Sequence, residues 1–312
     1  MTTTQQHVVL GGNGVVGRET VAALLRRGER VTSVGRRPSA IGGATSATAD
    51  LLVAQDVSRA VAGAQLAYLT AGIVYSSTIW AKQWPVIVKN AIEAAIAHGT
   101  HLVYFDNVYA YGLVSGEMTE ETPLHPVSKK GRIRADALAA LQAAATERGL
   151  SYTVARSADF YGPGAKTSVF NTFALSKLAA GKKATWLFDA DQPHSLGYTP
   201  DIGEALALLG THRAGSGDTW HLPTAPALTG REYLHLAGAS DAQIAVMSRT
   251  TMRIGSLFNS AAREALEMSY QDTEPYLFDS CSFKTAFGMA PTPVAEGIAA
   301  TLAAERALVL AS

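Results

Sequence analysis

Three glycines near the start of the chain are spaced to let the polypeptide turn tightly around a phosphate group. The run Gly11-Gly12-Asn13-Gly14-Val15-Val16-Gly17 follows a short apolar stretch and leads into a helical pattern. Glycine lets the main chain approach a pyrophosphate closely, and the positive end of the following helix favours its negative charge. We therefore predict a dinucleotide site at this turn. The residues predicted to hold it are Gly11, Asn13, Gly14, Val15, Val16 and Gly17.

The second strand ends in a basic turn that bears on which dinucleotide is bound. A protein that binds NAD usually has Asp or Glu about 20 residues past the glycine loop, where the carboxylate holds the ribose 2′-hydroxyl. Here glycine stands at that place, in the run Val34-Gly35-Arg36-Arg37-Pro38. Guanidinium groups bind phosphate through charge-assisted contacts, whereas a carboxylate would repel it. Arg36 and Arg37 therefore favour NADP as the cofactor.

Short apolar runs alternate with helical periods through the first half of the chain. Short apolar runs predict strands, and apolar residues recurring three or four positions apart predict helices. The predicted strands are His7–Leu10, Arg30–Val34, a third ending near Asp50, Leu66–Thr70, His101–Asp106 and Tyr152–Arg156. The predicted helices are Val15–Arg27, Val53–Ala62, Lys82–His98 and Ser128–Arg148. This alternation predicts an α/β fold, a Rossmann-type doubly wound parallel sheet with its ligand at the carboxyl ends of the strands.

The pattern loosens beyond Gly164. Thr199-Pro200-Asp201 has a capping side chain, a proline for the first turn and an acid near the positive dipole end, so it predicts a helix start. Thr292-Pro293 with Glu296 repeats this signature for a last helix. We predict a dinucleotide-binding domain over residues 1–165, to which residues 195–225 return. Residues 166–194 and 226–312 are predicted to form a smaller, interleaved substrate-binding portion.

Composition excludes several classes of partner. The 26 basic and 26 acidic residues give a net charge of zero, so neither nucleic acid nor a membrane surface is expected as a partner. The polar N-terminus lacks the features of a secretory signal, and the one cysteine rules out a disulfide framework, so we expect a cytoplasmic protein. No metal site is expected, because His194, His221 and His235 show no ligand spacing.

Several motifs occur in an order that resembles a known family. They are the glycine loop, Asp50-Leu51, Leu69-Thr70-Ala71-Gly72, Asp106-Asn107-Val108-Tyr109-Ala110-Tyr111-Gly112, Arg156-Ser157-Ala158-Asp159-Phe160-Tyr161-Gly162-Pro163-Gly164, and His194–Ile202. The sequence resembles the extended or atypical short-chain dehydrogenases/reductases of the NAD-dependent epimerase/dehydratase group, over roughly two-thirds of the chain. The resemblance implies that Asp50 and Leu51 lie near the adenine. It also implies that Ala71 and Gly72 lie at the coenzyme.

The catalytic part departs from the family pattern. The family has a serine or threonine after the fifth strand, where this chain has Asn107, or alternatively Asp106. It also has Tyr-x-x-x-Lys on the next long helix, but this chain has no tyrosine between Tyr111 and Tyr152. One alignment puts Ser128 and Arg132 at the tyrosine and lysine positions. The other puts Val127 and Gly131 there, which leaves no useful chemistry. In the first, Arg132 would hold the nicotinamide ribose, but a serine hydroxyl is far less acidic than a phenol.

Other side chains near these motifs are candidates for the missing proton donor. Tyr161, in the Tyr-Gly-Pro-Gly turn, stands where the family lines its substrate pocket. Tyr109, Tyr111, Lys129 and Lys130 are further candidates, although packed aromatics and solvated lysines are the ordinary interpretation. The predicted catalytic residues are Asn107, Ser128, Arg132 and Tyr161.

Two functions remain open from the sequence. The first is an NADP(H)-dependent oxidoreductase or epimerase-like enzyme that acts on a small carbonyl-bearing or polar molecule with non-standard proton-transfer residues. The alternative is a non-catalytic NADP(H)-binding redox sensor or scaffold, which the missing Tyr-x-x-x-Lys motif favours.

In the family, the helices that match Lys82–His98 and Ser128–Arg148 commonly pair across a two-fold axis. The second is rich in alanine, so we expect a homodimer.

Overall fold

A parallel sheet of seven strands organises the chain in the computed structural model, which describes residues 5–212 and 216–310. The strands of this sheet are β1 (Gln6–Leu10), β2 (Arg30–Gly35), β3 (Thr45–Thr48), β4 (Leu66–Leu69), β5 (His101–Asn107), β7 (Tyr152–Ser157) and β12 (Thr219–His221). Their order is β12-β7-β5-β4-β1-β2-β3, and every neighbouring pair is parallel. The fold is the doubly wound, Rossmann-like α/β fold that the sequence predicts.

Helices cover both faces of this sheet and supply its core. The helices of the first half are α1 (Val15–Arg26), α2 (Ala54–Val61), α3 (Ser77–His98) and α4 (Lys129–Arg148). Apolar side chains of α2, α3 and α4 pack on one face of the sheet. On the other face, α1 packs beside α6 (Thr199–Thr211). Burial of these apolar surfaces is the main stabilising contribution to such a layered fold.

Helix boundaries follow local capping except at one end. Helices α3 and α4 both stop at a glycine in the left-handed conformation, Gly99 and Gly149, as predicted. Helix α3 begins at Ser77 and not at the predicted Lys82, with the Ser76 hydroxyl accepting from the Ile79 amide. The side chain of Glu264, far along the chain, accepts from the Ser77 amide at 2.9 Å. The added turn therefore depends partly on a tertiary contact that local pattern does not contain.

The remaining elements form a smaller layer beside the carboxyl edge of the sheet. Its strands are β6 (Glu117–Met118), β8 (Asp159–Tyr161), β9 (Ala184–Leu187), β10 (Pro193–His194), β11 (Leu196–Tyr198), β13 (Leu228–Thr229), β14 (Ile244–Met247) and β15 (Leu277–Phe278). Its helices are α5 (Ser176–Ala179), α7 (Gly230–Leu236), α8 (Arg249–Gly255), α9 (Ser260–Glu267), α10 (Tyr270–Thr273), α11 (Cys281–Phe287) and α12 (Val294–Leu310). A separate apolar core joins α5, α7 and α12. No helix within the described residues is long and apolar enough to cross a membrane.

Candidate functional site

The glycine loop is crowded at three of its glycines, Gly11, Gly12 and Gly17, where an added Cβ would lie closer than 3.0 Å to a neighbouring atom. The Gly14 amide donates to the Gly11 carbonyl at 2.8 Å, which closes the turn before α1. A Cβ on Gly17 would lie 2.2 Å from that same carbonyl oxygen, and one on Gly11 would lie 2.6 Å from Ala71 Cα. The loop therefore packs directly against the segment that follows β4. The open helix N-terminus above it is a ready site for a phosphate.

Asn13 ties this loop to the basic turn at the end of β2. Its Nδ2 donates to the Arg37 carbonyl at 2.8 Å, and a Cβ on Gly35 would lie 2.8 Å from the same nitrogen. Arg36 and Arg37 are both exposed, and neither guanidinium forms an ion pair with any residue that the structure describes. Two cationic groups that are unpaired among the described residues thus stand beside the glycine loop, directly after Gly35, which occupies the position where an acid would hold a ribose hydroxyl.

The other predicted coenzyme residues lie along the same edge of the sheet. Asp50 Oδ1 accepts from the Leu52 amide at 3.0 Å, and the Leu51 carbonyl accepts from Asn90 Nδ2 at 2.9 Å. Ala71 packs against the core and Gly72 is exposed. The ends of β1, β2, β3 and β4 therefore bring the residues predicted for the dinucleotide to one edge, apart from Arg132.

The predicted catalytic residues are not gathered at one point. Asn107 uses its side chain as a cap, with Oδ1 accepting from the Tyr109 amide at 3.1 Å. Ser128 is buried and caps α4 by accepting from the Gly131 amide at 2.9 Å. Arg132 is exposed on the outer face of α4. Asn107 and Ser128 thus act as helix caps in this structure, and the roles of Ser128 as proton donor and Arg132 as ribose anchor stay predictions.

Tyr161 lies in the core of the smaller layer. Its side chain is 1% exposed, its hydroxyl donates to the Val294 carbonyl at 3.4 Å, and its ring packs against Phe170 and Tyr198. Burial raises the pKa of its phenol above the ordinary value. A side chain enclosed in this way is not positioned to reach a ligand, so Tyr161 is a packed core residue in this structure.

Lys130, a secondary candidate in the sequence, is fully buried at the first turn of α4. Its ammonium forms ion pairs with Glu264 and Glu267 of α9, the second at 2.7 Å, and lies 4.6 Å from the centre of the Tyr75 ring. The Lys130 amide also donates to Glu267 Oε1 at 3.2 Å. Helix α9 is thereby fixed over the N-termini of α3 and α4.

Arg134 follows Lys130 by four positions, so these two cations have the same spacing as the tyrosine and lysine of a Tyr-x-x-x-Lys motif. Arg134 Nη1 donates to the Tyr104 hydroxyl at 3.0 Å and lies 3.5 Å from Asp106 Oδ1. Its guanidinium carbon is 4.1 Å from the centre of the Trp84 ring. Asp106, the alternative to Asn107, is fully buried between Arg134 and Arg156. The two arginines thus hold Asp106, near the carboxyl end of β5, in place.

A second group of polar residues, largely missed by sequence reasoning, lies beyond the ends of β5 and β7. Asp159 Oδ2 lies 3.1 Å from His194 Nε2, and the His194 ring stacks on Tyr276 with 4.3 Å between ring centres. Burial lowers the pKa of His194, but the hydrogen bond and charge of Asp159, together with the charge of Asp272 and the main chain of Gln271, raise the pKa overall. The charge of Asp159 also raises the pKa of Tyr109, whose own burial has the larger effect. Spacing gave no signal for this group, because Asp159 and His194 are 35 residues apart.

Further hydroxyl groups border this region. The Tyr75 and Tyr109 hydroxyls are 3.4 Å apart. Burial raises the pKa of Tyr270 to about 12, and its neighbour Ser128 lowers it in part. Among residues 5–212 and 216–310, no group of His, Cys, Asp or Glu side chains has the arrangement of a metal site.

The parallel sheet and the tight glycine turn after β1 define a Rossmann-type α/β protein. The profile of the NAD dependent epimerase/dehydratase family matches residues 7–222, which is most of the chain. The protein therefore belongs to this family. No match is found among the curated proteins.

Solved structures with low sequence identity share the fold over nearly the whole chain. DesIV of Streptomyces venezuelae, a dTDP-glucose 4,6-dehydratase, is 19% identical over 96% of both chains, with a TM-score of 0.78. UDP-glucose 4-epimerase of Thermotoga maritima is 20% identical over 97% of this chain and 99% of its own, with a TM-score of 0.79. UDP-N-acetylglucosamine 4-epimerase of Bacillus cereus is 16% identical over 99% and 98%, with a TM-score of 0.75.

Proposed function

We propose that this protein is an NADP(H)-dependent oxidoreductase or epimerase-type enzyme that acts on a small carbonyl-bearing or polar molecule. The observation that carries the proposal is the hydrogen bond from Asn13 to the Arg37 carbonyl, which joins the phosphate loop to the basic turn. One rigid unit then presents main-chain amides to a pyrophosphate and two guanidinium groups to a 2′-phosphate.

The residues present fit a dinucleotide of this kind. Added Cβ atoms at Gly11 or Gly17 would collide with main-chain atoms, so the loop keeps its helix N-terminus accessible to phosphate. When bound, NADP(H) supplies or accepts a hydride. The structures of the Streptomyces dehydratase carry NAD, whereas Gly35, Arg36 and Arg37 favour the phosphorylated coenzyme here.

The substrate would lie beyond the ends of β5 and β7, next to the smaller layer. In open α/β sheets, ligands bind in the crevice outside the carboxyl ends of the strands. The family relatives named above act on sugar nucleotides, which supports a substrate with an oxidisable hydroxyl or a reducible carbonyl. The fold does not narrow the substrate further.

The second candidate, an NADP(H)-binding sensor without turnover, is favoured by one specific observation. Lys130 lies at the first turn of α4, near where the family places its catalytic tyrosine. Its ammonium forms ion pairs with Glu264 and Glu267. A sensor needs coenzyme binding but no proton transfer at this helix.

Coenzyme titration followed by an activity screen tests the proposal. We expect NADPH to bind more tightly than NADH in a fluorescence titration, and NADPH to be oxidised by at least one member of a panel of ketones, aldehydes, imines and activated alkenes. Equal affinities would contradict the choice of NADP. Tight binding without any turnover would favour the sensor.

We also propose that the protein is a cytoplasmic homodimer. Helices α3 and α4 pack side by side, and the outer face of α4 exposes Ala139, Ala140 and Ala143, small side chains that let a second helix pair approach closely. Cys281 is free and exposed, which suits a reducing compartment. Light scattering at micromolar concentration should give twice the chain mass of 32.8 kDa, and the monomer mass would contradict the dimer.

A further inference from the structure

Beyond the ends of β5 and β7, Asp159 is both open to solvent and paired with a buried histidine. Asp159 begins β8, directly after β7, and its side chain is 39% exposed, whereas that of its partner His194 is 5% exposed. The Asp159 amide donates to the Tyr276 hydroxyl at 3.2 Å, which fixes the backbone at this point. One member of the pair therefore faces the crevice and the other lies behind it.

The histidine ring is held firmly with Nε2 directed at the aspartate. It stacks on Tyr276 within 7° of parallel, and the edge of Trp186 packs against it. The main chain of the same residue is fixed as well, because its carbonyl accepts from the Tyr233 hydroxyl at 3.0 Å. A carboxylate only accepts hydrogen bonds, so the shared proton lies on Nε2 when the pair is ionised.

The charged and titratable groups around the pair come from three elements. Asp272 of α10 raises the pKa of His194 through its charge, and the main chain of Gln271 does so as a hydrogen-bond acceptor. Burial raises the pKa of Asp272 itself to about 7. Tyr109, which follows β5, and Tyr75, which follows β4, lie in the field of Asp159. The pair is therefore electrostatically coupled to the ends of the strands that border the crevice.

We propose that Asp159 and His194 form the acid–base pair of the reaction, with Asp159 touching the substrate oxygen and His194 holding the proton behind it. The proposal rests on the proposed enzyme function. It offers a route for proton transfer other than Ser128 and Tyr161, which are both buried and hydrogen-bonded within the protein. Asp159 is thus a catalytic residue, and His194 is a positioning residue that acts through it.

The pair carries one transferable proton, on Nε2 of His194 in its ionised form and on a carboxyl oxygen of Asp159 in its neutral form. When a carbonyl carbon gains a hydride, the π electron pair moves to oxygen and an O–H bond forms with that proton. The pair is left as a carboxylate beside a neutral imidazole, and water restores the proton through the open side of Asp159. In the oxidising direction, the same pair accepts the hydroxyl proton.

Asp159→Asn and His194→Gln test this assignment, with Asp241→Asn and His235→Gln as matched controls. The control pair is also an Asp–His ion pair, at 3.3 Å, but it is exposed and lies on α7 and the turn after it. With NADPH and a panel of ketones and aldehydes, we expect Asp159→Asn to lower the rate by about 10²–10⁴-fold while NADPH affinity is unchanged. His194→Gln should lower the rate less and move the pH profile, and the controls should do neither.

A readout that does not need turnover accompanies the kinetics. NMR titration of the His194 imidazole should show its pKa falling in Asp159→Asn relative to the wild type. A rate in Asp159→Asn equal to that of the control variants, or a His194 titration that ignores the substitution, would overturn the proposal. Failure of the wild type to bind NADPH would instead overturn the proposed function. Binding of NADPH without oxidation of any probe would overturn the catalytic role of the pair and leave the coenzyme site standing.

Discussion

The ammonium of Lys130 lies 2.7 Å from Glu267 Oε2, with the lysine side chain completely buried. Three residues earlier on α9, Glu264 pairs with the same ammonium and also caps α3 through the Ser77 amide. Glu267 caps α4 through the Lys129 and Lys130 amides. Two carboxylates one turn apart thus satisfy two helix N-termini and share one cation.

Removing that cation should strongly destabilise the fold. Lys130→Ala leaves the partly buried carboxylates of Glu264 and Glu267 without their shared counter-charge, and breaking a buried ion pair costs up to about 3–5 kcal/mol. Lys129→Ala, at the exposed neighbouring position, should change the free energy of unfolding by no more than about 0.5 kcal/mol. Urea denaturation compares the two variants. Similar midpoints for both would show that the ion pairs contribute little.

Arg36→Ala should weaken NADPH binding and leave NADH binding unchanged. A charge-assisted contact contributes about 1.5–3 kcal/mol, so the dissociation constant for NADPH should rise by roughly 10- to 150-fold. Arg30→Ala, at the exposed start of the same strand, is the matched control. Equal weakening of both coenzymes by Arg36→Ala would mean that this residue does not select the 2′-phosphate.

Gly17→Ala should abolish coenzyme binding. Its added Cβ would lie 2.2 Å from the Gly11 carbonyl oxygen, so the loop must open and lose the geometry that accommodates phosphate. Gly42→Ala meets nothing within 4 Å and serves as the control. Fluorescence titration with NADPH measures both, and circular dichroism checks that each variant is folded. Normal binding by Gly17→Ala would contradict the role assigned to the loop.

Tyr161→Phe should keep the wild-type rate. The substitution removes only a hydrogen bond to the Val294 carbonyl, worth about 0.5–1.5 kcal/mol of stability. A loss of about 10²–10⁴ in rate, the effect expected of a proton donor, would restore the sequence-based prediction for this residue. The measurement is kcat for any substrate that the panel identifies.

The contribution of Asp272 to stability should fall as the pH rises from about 4 to 7, the interval between the unfolded pKa of an aspartate and the native pKa of Asp272. Burial raises the latter to about 7, so the native state binds more protons than the unfolded state across this interval. The raised pKa of His194 acts with the same sign as the pH passes through its native value. Asp272→Asn should flatten the decline in urea midpoints. An unchanged slope in this variant would exclude Asp272 as its source.

The fold and the tight glycine turn after β1 could be predicted from the sequence because their signals are local. Glycines at Gly11, Gly14 and Gly17 sit between a strand and a helix in the chain itself, and periodicity located the six strands predicted for the sheet to within a few residues. The basic turn after Val34 was equally local. Placement of such residues at one sheet edge then follows from parallel strand order.

The proposed Asp159–His194 pair could not be predicted from the sequence, because its members come together only in three dimensions. Asp159 and His194 are distant in sequence, and nothing near His194 marks it as different from His221 or His235. Alignment with the Tyr-x-x-x-Lys motif selected Ser128 and Arg132. The Ser128 side chain caps α4, and the Arg132 side chain faces solvent. The sequence contains Lys130 and Arg134 at the same four-residue spacing, but it does not reveal that both side chains are buried.

The double capping by α9 makes the two halves of the chain unsuitable for separation. A fragment ending before Ser260 would lose the carboxylates that cap α3 and α4 and would leave the Lys130 ammonium without its counter-charges. We therefore expect that the part of the chain before Ser260 does not fold stably when it is expressed alone. Chimeras that exchange the substrate portion would have to carry Glu264 and Glu267 with it, or replace Lys130 at the same time.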